Sequence, residues 1–273
     1  MHGVHAGPGV SIVLFVLLVL LPLTLLGIYG VAAWQERKRS RWSGWRIASY
    51  ACGTVLLITA MLPPVAPWAY GSLRGHMAQH LLLGMIAPLG LVLGAPGTLL
   101  LRHSSVETGR RIVSVLATLP LRVLTHPVTA ALLDIGGMYL LYLTPLYALS
   151  LHDPVLHALI HIHFVLAGYL FTWSIIGPDP APHRPGRWTR LGVLLLAGAA
   201  HAILGKLMYA HLHPRGTGAS PNEIRDAAQW MYYGGDVAEL LLALAFFAFW
   251  RGRGAPIPDR RGMGRSASEG IAK

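Results

Sequence analysis

The chain has a single cysteine, Cys52, so neither a disulfide within one chain nor a CxxC copper or redox motif can form. Charge is scarce as well, at 12% of 273 residues, where a soluble domain carries about 25%. Acidic side chains are the rarer sign, 11 against 22 Lys and Arg. No internal repeat marks a transporter of inverted halves. With 54% hydrophobic residues and a mean hydropathy of +0.52, these shortages exclude an ordinary soluble domain and make the bilayer the expected solvent.

A membrane-crossing helix needs roughly 20 mostly apolar residues. Seven runs qualify: 10–34, 46–66, 77–100, 126–147, 155–176, 189–210 and 229–250. The expected fold is an all-α membrane protein, one domain of seven transmembrane helices over 1–250. A basic tail follows at 251–273, without an apolar face to pack and so expected to be disordered near anionic headgroups. The first run lacks a basic leading segment and is followed at once by a positive cluster, so it is expected to stay as an anchor rather than be cleaved. The stretch 106–122 is too short and too basic to span and reads as an interfacial helix. Pro88 and Pro96 are expected to bend the third helix.

The net charge of +11 would fit nucleic acid, but its distribution points to a membrane. Eighteen of the 22 basic residues follow the first, third, fifth and seventh runs, among them Arg37, Lys38, Arg39, Arg102, Arg110 and Arg184. The opposite loops hold only Arg74, Arg215 and Arg225. By the positive-inside rule the N-terminus lies outside and the C-terminus in the cytoplasm, which requires an odd number of spans.

Histidine is what this chain has in abundance, with 14. His76 with His80, and His157 with His161, stand four residues apart in apolar runs, so each pair shares a helix face and forms a two-pronged imidazole clamp. An unpartnered imidazole in hydrocarbon is costly, which makes a bound ion or cofactor the expected reason for both pairs. The third and fifth runs enter the membrane from the same side, so both clamps are expected near the outer face, with His211 close by. Whether they face each other depends on helix rotation, which hydropathy leaves open. Met77 and Met208 add thioether sulfur. Imidazole suits Cu, Zn, Fe and Ni, and thioether favours Cu(I), so the expected metal ligands are His76, His80, His157, His161, Met77, Met208 and His211, around copper. Taken singly, His2, His5, His152 and His213 read as interfacial histidines bonded to backbone or water.

Further charges lie inside the last two runs. Lys206 and Asp236 match in depth, and Glu239 follows Asp236 on one face. A charge at mid-bilayer costs roughly 2.5 to 3.5 kcal/mol, so a Lys206 to Asp236 ion pair is the economical expectation, with a proton or cation path, or support for a ligating histidine, as the functional alternatives. Asp134 in the fourth run has no evident partner.

The run His76-Met77-Ala78-Gln79-His80-Leu81-Leu82-Leu83, with Ala87-Pro88 and Gly94-Ala95-Pro96 beyond it, resembles the hallmark of the multi-pass CtaG-like cytochrome c oxidase assembly factors associated with caa-type oxidases. His157, His161, Phe164, Gly168 and Trp173, followed by Gly177-Pro178-Asp179-Pro180, resemble that family's second signature. The similarity covers about residues 45 to 250. It departs where many relatives carry Asp-Gln-Gln and Met-Trp: this chain has Asp226-Ala227-Ala228-Gln229 and Met231-Tyr232. The resemblance implies a bacterial plasma-membrane protein needed for oxidase maturation, with a part in copper supply.

The leading expectation is a metallochaperone that holds copper outward and passes it to an oxidase subunit by ligand exchange, which needs no nucleophile or general base and so no enzyme. A haem b held between His80 and His161 in an oxidoreductase is one alternative. A copper permease using Lys206, Asp236 and Glu239 is the other.

Overall fold

The computed structural model describes residues 19–40 and 42–252, and every regular element among them is helical. The start of the first expected span, His2, His5 and the tail lie outside the described residues. The elements are α1 (Leu21–Ser40), α2 (Gly44–Met61), α3 (Val65–Gly71), α4 (Leu73–Leu81), a π-helical turn (Leu82–Ile86), α5 (Ala87–Leu93), α6 (Pro96–His103), α7 (Val106–Leu116), α8 (Leu119–Leu124), α9 (Pro127–Leu143), α10 (Leu146–Ser150), α11 (Pro154–Ile175), α12 (Arg187–His211) and α13 (Pro221–Gly252).

Local chemistry fixes where the site-bearing helices begin. Ser72 caps α4 by accepting from the Gly75 amide at 3.0 Å, and Asp153 caps α11 by accepting from the Val155 and Leu156 amides at 2.8 and 3.2 Å. Each cap satisfies amides that no carbonyl inside the helix can reach. Ser220 and Glu223 form a reciprocal cap on α13 (Ser220 N–H to Glu223 Oε2, 2.8 Å; Glu223 N–H to Ser220 Oγ, 3.3 Å). Pro154 and Pro221 occupy first helical positions, where a missing N–H costs nothing.

Among the described residues, four stretches are long and apolar enough to cross a bilayer: Leu73–His103, Pro154–Ile175, Arg187–His211 and Pro221–Trp250. The pair α2 and α3, bent by 46°, makes a fifth if it is one broken span. The fourth expected span is α9, which is apolar but only 17 residues long, about 25 Å at helical rise and short of a roughly 30 Å hydrocarbon core. Of the first, only α1 from Leu21 onward is described. The 106–122 stretch forms α7 and α8, which bury no residue.

Pro88 and Pro96 both mark interruptions. Pro88 has no N–H to donate to the Gly84 carbonyl four residues back, and the π turn sits over that gap. Ala95, fully buried at φ 52°, breaks the helix before Pro96. The freed Gly84 carbonyl is where α11 comes closest: a Cβ on Gly168 would overlap it. Gly53 of α2 and Gly90 of α5 make a second backbone contact of this kind. Small residues therefore set the spacing of the α2, α5 and α11 layers, as in membrane bundles generally.

The Lys206 to Asp236 ion pair is not formed. Both side chains are exposed, and the Lys206 ammonium lies 5.5 Å from the Tyr232 ring. Glu239 turns inward instead and meets His201 of α12, with Nδ1 and Oε1 3.2 Å apart. The three-residue offset rotates Glu239 about 60° from Asp236, enough to separate a lipid-facing from a core-facing position.

Replacing Gly168 with Ala is expected to lower the thermal midpoint in detergent, because overpacking a tight contact costs roughly 1–3 kcal/mol. Gly27→Ala, where a Cβ meets nothing within 4 Å, is expected to leave it unchanged or raised. Equal midpoints for the two variants would contradict the close α11 approach.

Candidate metal centre

α11 packs on the π turn and α5, which continue α4, so the histidines of α4 and α11 are brought together in the turns that precede the Gly84–Gly168 contact. His76 and His80 are 2% exposed, His161 5% and His157 8%. The His157 and His161 rings are 4.4 Å apart, and His76 lies 6.5 and 6.4 Å from them. Three imidazoles from two helices thus stand together in the interior.

Aromatic side chains wall this group. Tyr142 of α9, itself fully buried, places its hydroxyl 3.3 Å from His76 Nε2. Tyr147 of α10 packs 4.6 Å from His76, and Tyr70 of α3 stacks on His157 at 4.9 Å.

His161 is held by both nitrogens. Nδ1 donates to the His157 carbonyl (2.9 Å), which fixes the proton there, and Nε2 lies 2.9 Å from Gln79 Oε1. The Gln79 amide is oriented by its own donation to the Ala60 carbonyl at 2.8 Å, which leaves its oxygen turned on His161. A neutral His161 therefore points a lone pair at another acceptor, a conflict that a proton or metal cation resolves.

His80 differs from the other three. Its ring packs 4.4 Å from Phe164 and 6.0 Å from Tyr142, and neither nitrogen has a hydrogen-bond partner. Leaving such groups unpaired in an interior costs roughly 1–3 kcal/mol each. His201 is fully buried against Gly235, where a Cβ would strike the ring. Beyond Glu239 lies a cavity of about 20 Å³ lined in part by Asp134, Thr172 and Gly198. That is room for about one water.

The expected thioether and peripheral ligands do not join the histidines in this conformation. Met77 is fully buried in the apolar core, and as the next residue after His76 it points about 100° away around the helix. Met208 is likewise fully buried in that core. His211 is exposed at the end of α12 and makes no ring contact with the four. His163 bonds the Leu133 carbonyl at 3.0 Å. Among the described residues, no three His, Cys, Asp or Glu side chains already stand close enough to grip one ion. A metal ion held by these side chains would need their rotamers to change, beginning with Gln79.

Sequence reasoning passed over Gln79 and His201. Gln79 stands three residues after His76 on the same face, a spacing that would have placed it among the histidines. His201 is seven residues before Met208, also on one face, and an ionisable group deep in an apolar run is itself the signal.

A Gln79→Leu substitution strands the buried Ala60 carbonyl and is expected to cost roughly 1–3 kcal/mol, read as a lower thermal midpoint. In ¹⁵N spectra of imidazole-labelled protein, His161 is expected to carry its proton on Nδ1 in both forms. An unprotonated Nδ1 in the wild type would overturn this arrangement.

An uncharacterized protein of Mycobacterium leprae (strain TN), ML1998, is 34% identical over 190 residues, which is 66% of this chain and 29% of that protein. Uncharacterized proteins Mb0105 of Mycobacterium bovis (strain ATCC BAA-935 / AF2122/97) and MT0111 of Mycobacterium tuberculosis (strain CDC 1551 / Oshkosh) are each 34% identical over 183 residues, 64% of this chain and 28% of theirs. The chain thus spans under a third of the length of these curated relatives. No solved structure matches it. The sequence fits the profile of the cytochrome c oxidase caa3 assembly factor family (Caa3_CtaG) across residues 27–253, and the chain accordingly belongs to that family.

Proposed function

We propose that this chain is a bacterial plasma-membrane assembly factor that takes copper as cargo at His76, His157 and His161, with His80 beneath them, and passes it to a cytochrome c oxidase subunit. The observation that carries the proposal is the mutual approach of three buried imidazoles to within 6.5 Å. The stand-off between His161 Nε2 and Gln79 Oε1 adds a reason for a cation to be welcome there.

In the orientation read from charge asymmetry, this end of a seven-span bundle faces outward, where a docking partner with its own copper centre would stand. His157, the least buried of the four, is the natural point of entry and exit. Transfer is an exchange of ligands: an incoming donor displaces one imidazole at a time, and Gln79 re-engages His161 when the ion leaves. Only metal–ligand bonds are exchanged and no covalent bond of an organic substrate is made or broken, so the role is not enzymatic. A haem b between His80 and His161 would have to displace Phe164, Tyr142 and Gln79, all packed against those rings, which favours a bare ion.

His76→Ala and His157→Ala are expected to weaken Cu(I) binding in mild detergent by at least roughly 10-fold, the scale seen even for groups that only support a ligand. His152→Ala, in an exposed turn, is expected to leave it unchanged. The same two variants should lower caa-type oxidase activity in cells. Equal affinities across all three would overturn the proposal.

Protons compete with the metal for imidazole lone pairs. Bound copper is therefore expected to fall as the buffer is acidified, whereas a flat response would remove histidine from the ligand set.

A further inference from the structure

Lys206 is a cation that the histidine group does not use. It stands five residues before α12 ends at His211, about 7.5 Å in along the helix axis. That is the depth of the boundary between headgroups and acyl chains. The side chain is exposed, and among the described residues no carboxylate is within ion-pair reach of its ammonium. A charge left without a counter-ion there is unfavourable.

The ammonium stands in a groove of about 310 Å³ between α12 and α13. Gly205 forms the floor, where a Cβ would lie 3.2 Å from the Tyr232 Cβ. The walls are Tyr209, three residues after Lys206, and Gln229 with Tyr232 and Tyr233, three and four residues after it. Each wall is therefore one helix face. Among the described residues, no hydrogen bond within the protein occupies the Gln229 side chain or the three hydroxyls. Arg225, one turn before Gln229 on the same face, brings a second cation to 5.8 Å from the Tyr209 ring. Asp236 shares that face one turn past Tyr232 but does not line the groove. Ammonium, amide and hydroxyl donors converging in this way suit an anion rich in acceptor oxygens.

The surroundings say how such an anion arrives. Ile203 and Val237, 52% and 56% exposed, flank the deeper end of the groove, one turn past Lys206 and Tyr233. Both are apolar and open to the bilayer. An anion seated at Lys206 with apolar chains lying over Ile203 and Val237 is a phospholipid rather than free phosphate.

We propose that the groove between α12 and α13 binds the phosphodiester headgroup of an anionic phospholipid, with Lys206 as its counter-ion. Gln229 and the tyrosine hydroxyls are the further donors, and the acyl chains run along Ile203 and Val237. The headgroup bridges the two helices close to the loop that joins them. This site is separate from the histidine group and does not rest on the copper reading.

The test titrates the full-length protein in mild detergent with phosphatidylglycerol and with phosphatidylcholine of the same chains, and counts bound lipid by native mass spectrometry. Phosphatidylglycerol is expected to bind the wild type and Lys206→Arg alike, and Lys206→Met roughly 5-fold or more weakly. Arg39→Gln, which removes a charge elsewhere, is expected to bind as the wild type does. Lys206 faces lipid, so Met at that position is expected to fold. Lysine also gives a direct readout, because the chain has only Lys38, Lys206 and Lys273. In phosphatidylglycerol bilayers, lysine-labelled protein is expected to show a ³¹P to ¹⁵Nζ coupling that disappears in Lys206→Met. Absence of that coupling would show Lys206 reaching water instead and overturn the proposal. Equal affinity for the two lipids, or for wild type and Lys206→Met, would do the same. Soluble glycerol phosphate binding as tightly as the lipid would overturn the part given to the acyl chains. An oxidase subunit lost from Lys206→Met while the lipid stays would assign the groove to a protein partner, and so also overturn it.

Discussion

Backbone-to-backbone contact at glycine is the constraint on which the interior depends. Gly168 lets α11 rest on the Gly84 carbonyl, the group that Pro88 leaves without a donor four residues on. A proline that would otherwise expose a polar carbonyl to hydrocarbon is thereby covered by a neighbouring helix, as the bilayer demands. The same approach fixes the spacing between the two histidine helices, because His80 is one turn before Gly84 and His161 two turns before Gly168. Were the helices a side chain further apart, the two clamps would not share a pocket.

Given that spacing, the cost of burying polar groups shapes everything inside it. Some of the cost is met: Gln79 donates to the Ala60 carbonyl, His161 Nδ1 to the His157 carbonyl and Arg190 to the Ile175 carbonyl. Elsewhere it is left outstanding, at His80 and at His201. Unpaired groups in a tightly packed core are a standing destabilisation that a ligand can relieve. The unpartnered groups lie midway along the bundle, between His157, the least buried of the four histidines, and Arg190, which donates to the Ile175 carbonyl.

Much of this architecture could be read in the sequence. Scarce charge and long apolar runs announced helices in a membrane, and the four-residue spacing of two histidine pairs announced two clamps. The resemblance carried by the His76 to Pro96 stretch agrees with the family to which the chain belongs. Less legible were groups with no motif of their own: Gln79, hidden between two histidines, and His201, isolated in an apolar run. The Lys206 to Asp236 pairing failed because matched depth was taken for contact, while the two side chains point to lipid and the inward position three residues on is Glu239.

The sequence by itself determined which residues share a face and how deep each lies, because helical periodicity and hydropathy are properties of a single segment. It could not determine which face meets which, since that follows from where glycines permit close approach and how bulky side chains interlock between helices remote in the chain. Only the tertiary structure placed Met77 and Met208 in the apolar core, turned Tyr142 and Gln79 toward the histidines and brought Glu239 to His201. A helix rotated by 60° keeps its hydropathy and loses every one of these contacts.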